Sequence, residues 1–577
     1  MSLVMVMTLF VNTSKKGIRT LYIHKKYRDE NGKSTTKVVE RLGTYEELAK
    51  IHDDPIAWGK AYAAELTARE KENSRKVMIS RDPSVQITAN RKNKLNGGYL
   101  FPQKIYHELG LHEICRRIEK KHRFEYDLDA ILSRLIYGRI LFPTSKLSTM
   151  EYSRTLLEQP GFELHQIYRA LEVLASEDDF IQSELYRNSR ALGKRNDTIL
   201  YYDCTNYYFE LEQADGIRQY GYSKENRPNP IVEMGMFMDG DGIPLAFCIH
   251  PGNTNEQTTL KPLEKKIISD FEHSEFVVCT DAGLSSYANR KYNSILNRRF
   301  ITVQSIKMMK EEQKEWALSP EGWHIPHVSG TYHLDDVKDH PEEFKDVVFY
   351  KEQWVNENGL EQRYIVSFSL KYMEYTRSLR ERHILRAQNA LDHPEILARK
   401  RTTDYKRFID QLEFDDQGTI VENRSYILNE ERILDEARYD GFYAVATNLE
   451  DDASAILEVN AKRWQIEECF RIMKSEFKAR PVYLSREDRI RAHFLTCFLA
   501  LYVYRYIEKK LDSRFTCQQI LSALRTFQFA LVPGDGYLPL YERSEVTDAL
   551  HEAFGFRTDF QIVTNAAMKQ ILKFTKS

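Results

Sequence analysis

Runs with apolar residues at every third or fourth position alternate along this chain with short runs that are apolar throughout or at every second position, so helices and strands are both predicted. Near the start, LFVNTSKKGIRTLYIHKKYRDENGKSTTKVVERLG reads as two or three strands with an Asn-Gly turn at Asn31 and Gly32, followed by a charged helix and linker. PQKIYHELGLHEICRRIEKK, DLDAILSRLIYGRIL and LHQIYRALEVLASE then show helical spacing, interrupted at Pro143 and Pro160. A third stretch holds, in order, the strand ILYYDCTNYYFE, the hairpin PIVEMGMFMDGDGIPLAFCIH, a helix around Thr258 to Asp270, the strand FVVCT, a helix, and the strand RRFITVQSI. Strand-like VVFYKEQWV, RYIVSFSLK and GFYAVATNL come next, with a charged helical stretch from Tyr372 to Leu391 among them. ILEVNAKRWQIEECFRIMKSEF has helical spacing and no Pro or Gly, which predicts one uninterrupted helix.

These patterns divide the chain into five regions: a β-rich N-terminal module (1–95), a helical region (96–197), a mixed core (198–310), a β-rich insertion (311–449), and a long helix with further C-terminal helices (450–577). The strand and helix order of the third region is that of a ribonuclease-H-like core. The fold class expected is therefore α/β: a ribonuclease-H-like core with a β-rich N-terminal module, a helical region before it, and a β-rich stretch that separates it from the last long helix; the family resemblance given below makes that core catalytic, the β-rich stretch an insertion and the helical region DNA-binding. The apolar opening MSLVMVMTLFV lacks a basic leader and a small-residue cleavage site, and reads as a buried strand. FLTCFLALYVY is about half the length a membrane span requires and reads as a buried helix, so no membrane segment is predicted.

Composition sharpens the class. With 577 residues, 42% hydrophobic and 29% charged, the chain is long enough for several cores. Its net charge of −2 gives no global attraction to DNA, so a nucleic-acid surface has to be a local patch. Two basic clusters qualify. Arg463, Arg471, Lys474, Lys478, Arg480, Arg486, Arg489 and Arg491 crowd the long helix and its sequel, while Arg399, Lys400, Arg401, Lys406 and Arg407 form the other. Seven scattered cysteines without a C-x-x-C pair favour reduced thiols in a cytoplasm over disulfides or a zinc site.

Three carboxylates carry the chemistry. Asp203 and Asp281 sit in or directly after strand-like runs, and Glu467 lies on the long helix, where about 100° per residue puts Arg463, Glu467, Arg471 and Lys474 on one side. Singly, a strand-end Asp is ordinary and a helix Glu is usually a solvated charge. Together they supply what two divalent metals need: anionic oxygens converging from several elements. Lys224 and Arg227, in a loop near Asp203, are candidate phosphate contacts. Asp239 and Asp241 belong to the turn MDGDG and are read as turn formers, and the pairs His493 with Cys497 and Cys248 with His250 as core packing.

The residues quoted so far resemble the DDE transposases of bacterial insertion sequences, in the IS-four-type superfamily, and most closely its IS-sixteen-thirty-four-like group. That group's glutamate signature is Tyr, two residues, Arg, three residues, Glu, six residues, Lys; here Arg463, Glu467 and Lys474 match, and Asn460 stands at the tyrosine position. YYDCTNYYFE, GYSKENRPNP, HPGNTNE, VVCTDAG and RWQIEECFRIMKSEFKARPVYL followed by EDRIRAHF resemble the same family, over roughly Gly97 to Tyr506. In GYSKENRPNP, Asn229 replaces a more usual Asp.

The resemblance implies hydrolysis at the element's 3′ end by activated water, then attack of the freed 3′-hydroxyl on target DNA. It implies Asp203, Asp281 and Glu467 as catalytic metal ligands for Mg²⁺, with Mn²⁺ as a substitute, and Arg463, Lys474, Arg471, Lys224 and Arg227 as DNA contacts. The 96–197 region becomes the expected site of transposon-end binding, and a Trp of the insertion, Trp316, Trp323 or Trp354, a candidate for stacking on a displaced base. The partners implied are DNA, as terminal inverted repeats and target, and a second copy of the chain in a homodimer on paired ends. The location implied is a bacterial cytoplasm, on the nucleoid when bound to DNA. No G-x-x-x-x-G-K-[ST] loop calls for a nucleotide cofactor. Two other readings remain open: a ribonuclease-H-like endonuclease without strand transfer, and a decayed or repurposed transposase that binds DNA without cutting.

Overall fold

A computed structural model of the chain describes residues 6–14, 17–28, 34–73, 83–86, 94–393, 405–414 and 420–577. The turn at Asn31 and Gly32 and the bases Arg399, Lys400 and Arg401 lie outside the described residues. The chain forms two compact units, one built from residues 1–176, 476–478 and 492–577, the other from 177–475 and 479–491.

The first unit begins with an antiparallel sheet of three strands, Val6–Thr13, Arg19–Arg28 and Ser34–Thr44. Helix Pro55–Asn73 packs on the first strand, where Gly59 leaves room for Leu9. Helices Leu100–Glu108, Leu111–Lys121, Leu128–Leu141, Lys146–Ser153 and Leu164–Ser176 follow; Asp127 and Ser145 start two of them by accepting from the backbone N–H three residues on. The run FLTCFLALYVY is the middle of helix Glu487–Lys510, and every residue from Ala492 to Arg505 is buried. A helix apolar all round is a core element. None of the described helices is long and apolar enough to cross a membrane.

The second unit is a mixed α/β body around a sheet of eight strands. We number them β1 (Ile199–Tyr208), β2 (Ile231–Asp239), β3 (Pro244–Pro251), β4 (Val277–Thr280), β5 (Arg299–Val303), β6 (Phe349–Glu357), β7 (Leu360–Phe368) and β8 (Phe442–Thr447). Their order across the sheet is β6-β7-β8-β5-β4-β1-β2-β3. β1, β2 and β3 form an antiparallel meander, β4 and β5 join parallel to β1, and β8, β7 and β6 extend the β5 edge antiparallel. Three strands between residues 349 and 447 thus belong to the same sheet as the core, while the hairpin Ile409–Phe414 and Ile420–Leu428 stands apart. β2 is buried along its whole length, which accounts for its nearly continuous apolar run.

Side chains alternate across β1. Leu200, Tyr202 and Cys204 enter a core with Tyr186 and with Leu260, Leu263 and Ile267 of helix Leu260–Asp270. Tyr201 and Tyr207 point to the other face, where the Tyr201 hydroxyl donates to the Val459 carbonyl at 2.8 Å and the Tyr207 hydroxyl meets the Met473 sulfur at 3.8 Å. The segment from 459 to 473 therefore lies over that face, and it is not the single helix its spacing predicts. Helix α1 (Ala453–Ala461) stops, Lys462 and Arg463 make bonds to the carbonyls three residues back, and helix α2 (Trp464–Arg471) begins. A π turn, Ile472–Glu476, follows α2. With neither Pro nor Gly to mark it, this break is set by packing on the sheet.

Candidate active site

Asp203 shares the face of β1 that carries Tyr201 and Tyr207, so it lies beneath the α1–α2 segment. β4 runs parallel to β1 with Tyr201 opposite Cys279, and the same 78-residue offset places Asp281 next to Asp203. Neighbouring strands are about 4.8 Å apart. Asp281 is the first residue past β4, and its carboxylate accepts from the Leu284 N–H at 3.1 Å, capping the turn Ala282–Leu284. Glu467, in the first turn of α2, is 57% exposed and pairs with Arg463 at 3.2 Å.

Electrostatics tie these groups together. Burial, with the Asp281 carboxylate adding to it, pushes the Asp203 carboxyl up to about 7, against the pull of Lys224, the Cys204 N–H and Arg463. Arg463 thus reaches Asp203 electrostatically while holding Glu467. Among the described residues no three His, Cys, Asp or Glu side chains form a ready metal cage: Asp281 acts on Asp203, while Glu467 is linked to them only through Arg463, which it pairs with.

The bases divide. Lys224 donates to the Cys204 carbonyl at 2.6 Å and pairs with Glu256 at 2.9 Å; burial pulls its ammonium down, but Asp203 and Glu256 outweigh it and hold the pKa above the usual lysine value. Lys474 lies over the Tyr207 ring at 5.4 Å and pairs with Glu225 at 3.5 Å; burial and then Lys224 bring it down to about 8. Arg227 is exposed, its guanidinium 4.4 Å from the centre of the Tyr208 ring. Arg471 departs from the helix-face reading: it is 56% exposed and engaged with Glu468 at 2.9 Å. The wider π turn after Arg471 shifts Lys474 round the axis, so a face drawn for a straight helix does not hold to its end. Other bases of that cluster have local acids: Arg480 pairs with Glu225, Arg486 with Asp488, and Arg491 with Glu487 at 2.9 Å.

Asn460 is 7% exposed; its amide donates to the Tyr443 hydroxyl at 2.9 Å and its carbonyl accepts from Cys279 at 3.9 Å. It ties α1 to β8 and β4 from within. Asp239 is buried, accepts from the Asp241 and Ile243 N–H groups and pairs with Arg195 at 2.7 Å, a turn role. Cys248 with His250, and Cys497 with His493, pack at 3.0 Å and 3.8 Å. Trp323 is fully buried and Trp316 packs on the same core, whereas Trp354, on β6, is 43% exposed.

Two acids were not singled out from the sequence. Glu233, 3% exposed on β2, lies near Glu256, and burial followed by that second carboxyl pushes its own up to about 8. A charge inside the apolar run IVEMGM was the available signal for Glu233, and the block HPGNTNE for Glu256.

A family model described as "Transposase DDE domain" matches residues 196–503, more than half of the chain, with Asp203, Asp281 and Glu467 inside the match. The chain belongs to the DDE transposases. Its activity is accordingly DNA cleavage and transposition, DNA is its partner, and the family generally uses divalent metal ions. No curated protein matches the chain. Among solved structures, a piggyBac transposase synaptic complex with hairpin DNA is similar at a TM-score of 0.36 and 8% identity, over 82% of this chain and 85% of that one.

Proposed function

We propose that this DDE transposase is an insertion-sequence enzyme of the IS-four-type superfamily that cuts the ends of its element and joins them to target DNA, with Asp203, Asp281 and Glu467 as its metal ligands. The observation that carries the reading is that Asp203, on β1, and Asp281, just past the end of the parallel neighbour β4, act on one another electrostatically beneath the segment that bears Glu467. The order of β1 to β5, an antiparallel meander followed by two parallel strands, supports a ribonuclease-H-like core.

The donor set fits Mg²⁺ or Mn²⁺. It consists of hard carboxylate oxygens, and Asp203 holds a proton because burial and Asp281 outweigh the compensation from Lys224, the Cys204 N–H and Arg463. Bound there, divalent ions would activate water or a 3′-hydroxyl and stabilise the departing oxygen. Asp203 and Asp281 would hold them from the sheet. Glu467 would turn from Arg463 to complete the set, leaving the guanidinium to a phosphate, and Lys474 would offer a second cation. Arg227, exposed on its tyrosine, suits the DNA backbone; Arg471, committed to Glu468, contributes least. Two ends brought together call for two copies of the chain, so a homodimer on paired ends is the assembly proposed.

The test is Mg²⁺-dependent nicking of a plasmid carrying the gene's flanking DNA. Cuts confined to the element's ends are expected, lost in Asp203→Asn, Asp281→Asn and Glu467→Gln, each of which still binds the ends. Wild-type cutting by any variant removes that residue from the site, and cutting unrelated to the ends favours an endonuclease.

A further inference from the structure

The loop after β1 and the turn after β3 meet beside Asp203, and glycines allow the approach. A Cβ on Gly221 would run into the Gly252 carbonyl, and one on Gly252 into the carbonyls of Ile231 and Gln219. The first loop carries Lys224 and the second leads into the turn Glu256–Thr258, which Asn255 caps by accepting from the Gln257 N–H at 3.0 Å. That turn is fastened to both neighbours of Asp203: the Thr259 hydroxyl bonds the Glu256 carbonyl at 2.6 Å and lies 2.6 Å from the Tyr202 hydroxyl and 3.2 Å from the Cys204 sulfur. Lys224 closes the circuit through the Cys204 carbonyl at 2.6 Å and the Glu256 carboxylate at 2.9 Å. The buried Glu233 is close enough to Glu256 for the two carboxyls to act on one another.

We infer that Glu256 is a positioning residue for strand cleavage: it pins the Lys224 ammonium beside Asp203, where that ammonium fixes a phosphate oxygen of the strand being cut. This rests on the proposed role of Asp203. An ammonium has three N–H groups. The Cys204 carbonyl and the Glu256 carboxylate take two, and the third is left for an incoming oxygen on a side chain one-third exposed, at 33%. Neither partner alone would fix the direction of that third donor on a four-carbon stem.

The test uses the full chain and a supercoiled plasmid carrying the gene's flanking DNA, with single-turnover nicking, end binding across a salt series and thermal unfolding as readouts. Glu256→Gln should slow nicking about ten- to a hundredfold, as loss of an orienting partner does, with end affinity and unfolding temperature unchanged. Lys224→Met should slow it as much and reduce the salt slope of binding by about one. The double variant should be no slower than Lys224→Met, because Glu256 acts through the lysine. Where Glu256→Gln does not fold, Glu256→Asp, which keeps the charge and shortens the reach, is read the same way. A Glu256 variant that nicks at the wild-type rate, multiplies its defect with that of Lys224→Met, or lowers affinity and unfolding temperature together overturns the inference. Asp203→Asn runs alongside: normal cutting there overturns the reading of Asp203, whereas an inactive Asp203→Asn beside a normal Glu256→Gln overturns the positioning role alone.

Discussion

Asp203→Asn should make the metal-free protein more stable at pH 8 while abolishing cleavage. Burial pushes the carboxyl up to about 7 in the folded protein, from the ordinary aspartate value of 3.8. The folded state therefore holds this proton more tightly than the unfolded state, so stability falls as the pH rises from about 4 to about 7 and is level above. At 1.36 kcal/mol per unit the ceiling is roughly 4 kcal/mol, and partial exposure to solvent brings it to about 1–3 kcal/mol. The attraction to Lys224 and Arg463 that the variant forfeits is already contained in that shift. In EDTA at pH 8 the variant should unfold roughly 1–5 °C above wild type by calorimetry, and near pH 5 the gain should shrink to about a third, since only a little over one pH unit then separates the solution from the unfolded pKa. Added Mg²⁺ or Mn²⁺ should reverse the ranking, because a cation that binds the folded carboxylates stabilises wild type alone. An Asp203→Asn protein less stable than wild type in EDTA at pH 8, or stabilised equally by the metal, would refute the account of Asp203 as an under-compensated, metal-seeking charge.

Other consequences concern the bases, the buried amide and the glycine turn. Arg463→Ala and Lys474→Ala should each weaken end binding and reduce its salt slope by about one, whereas Arg471→Ala, whose partner is Glu468, should leave the slope alone; equal slopes for all three would return Arg463 and Lys474 to surface duty. Asn460→Ala removes the buried amide that donates to the half-buried Tyr443 hydroxyl and should cost about 0.5–1.5 kcal/mol in denaturant unfolding, with end affinity unchanged. A loss of DNA affinity without loss of stability would instead put Asn460 on the DNA. Gly252→Ala sets a Cβ against the Ile231 and Gln219 carbonyls and should slow nicking by prising the Glu256 turn from the Lys224 loop; wild-type rates would show that the two loops work independently.

The acids were legible in the sequence because each sits at a strong boundary signal: Asp203 in a β-forming run, Asp281 directly after one, Glu467 within helical spacing. Their register was not, since a constant offset between β1 and β4 depends on how the intervening hairpin and helix fold back, and no local pattern encodes it. For the same reason Glu256 was passed over: its importance comes from a backbone contact between Gly221 and Gly252, 31 positions apart in sequence.

The glutamate signature is the instructive case, because its linear spacing reads as one helix face and the folded chain uses it otherwise. Asn460 ends α1 and turns into the core, Arg463 opens α2, Glu467 stands a turn later, and Lys474 rides on a π turn. A straight helix from 453 to 476 would hold these side chains at one fixed angle, set by 3.6 residues per turn alone. The break and the wide turn let the sheet set the angle instead, through Val459 on Tyr201 at one end and Met473 on Tyr207 at the other. With both ends fastened to β1, the span between them is held over the face of the strand that carries Asp203.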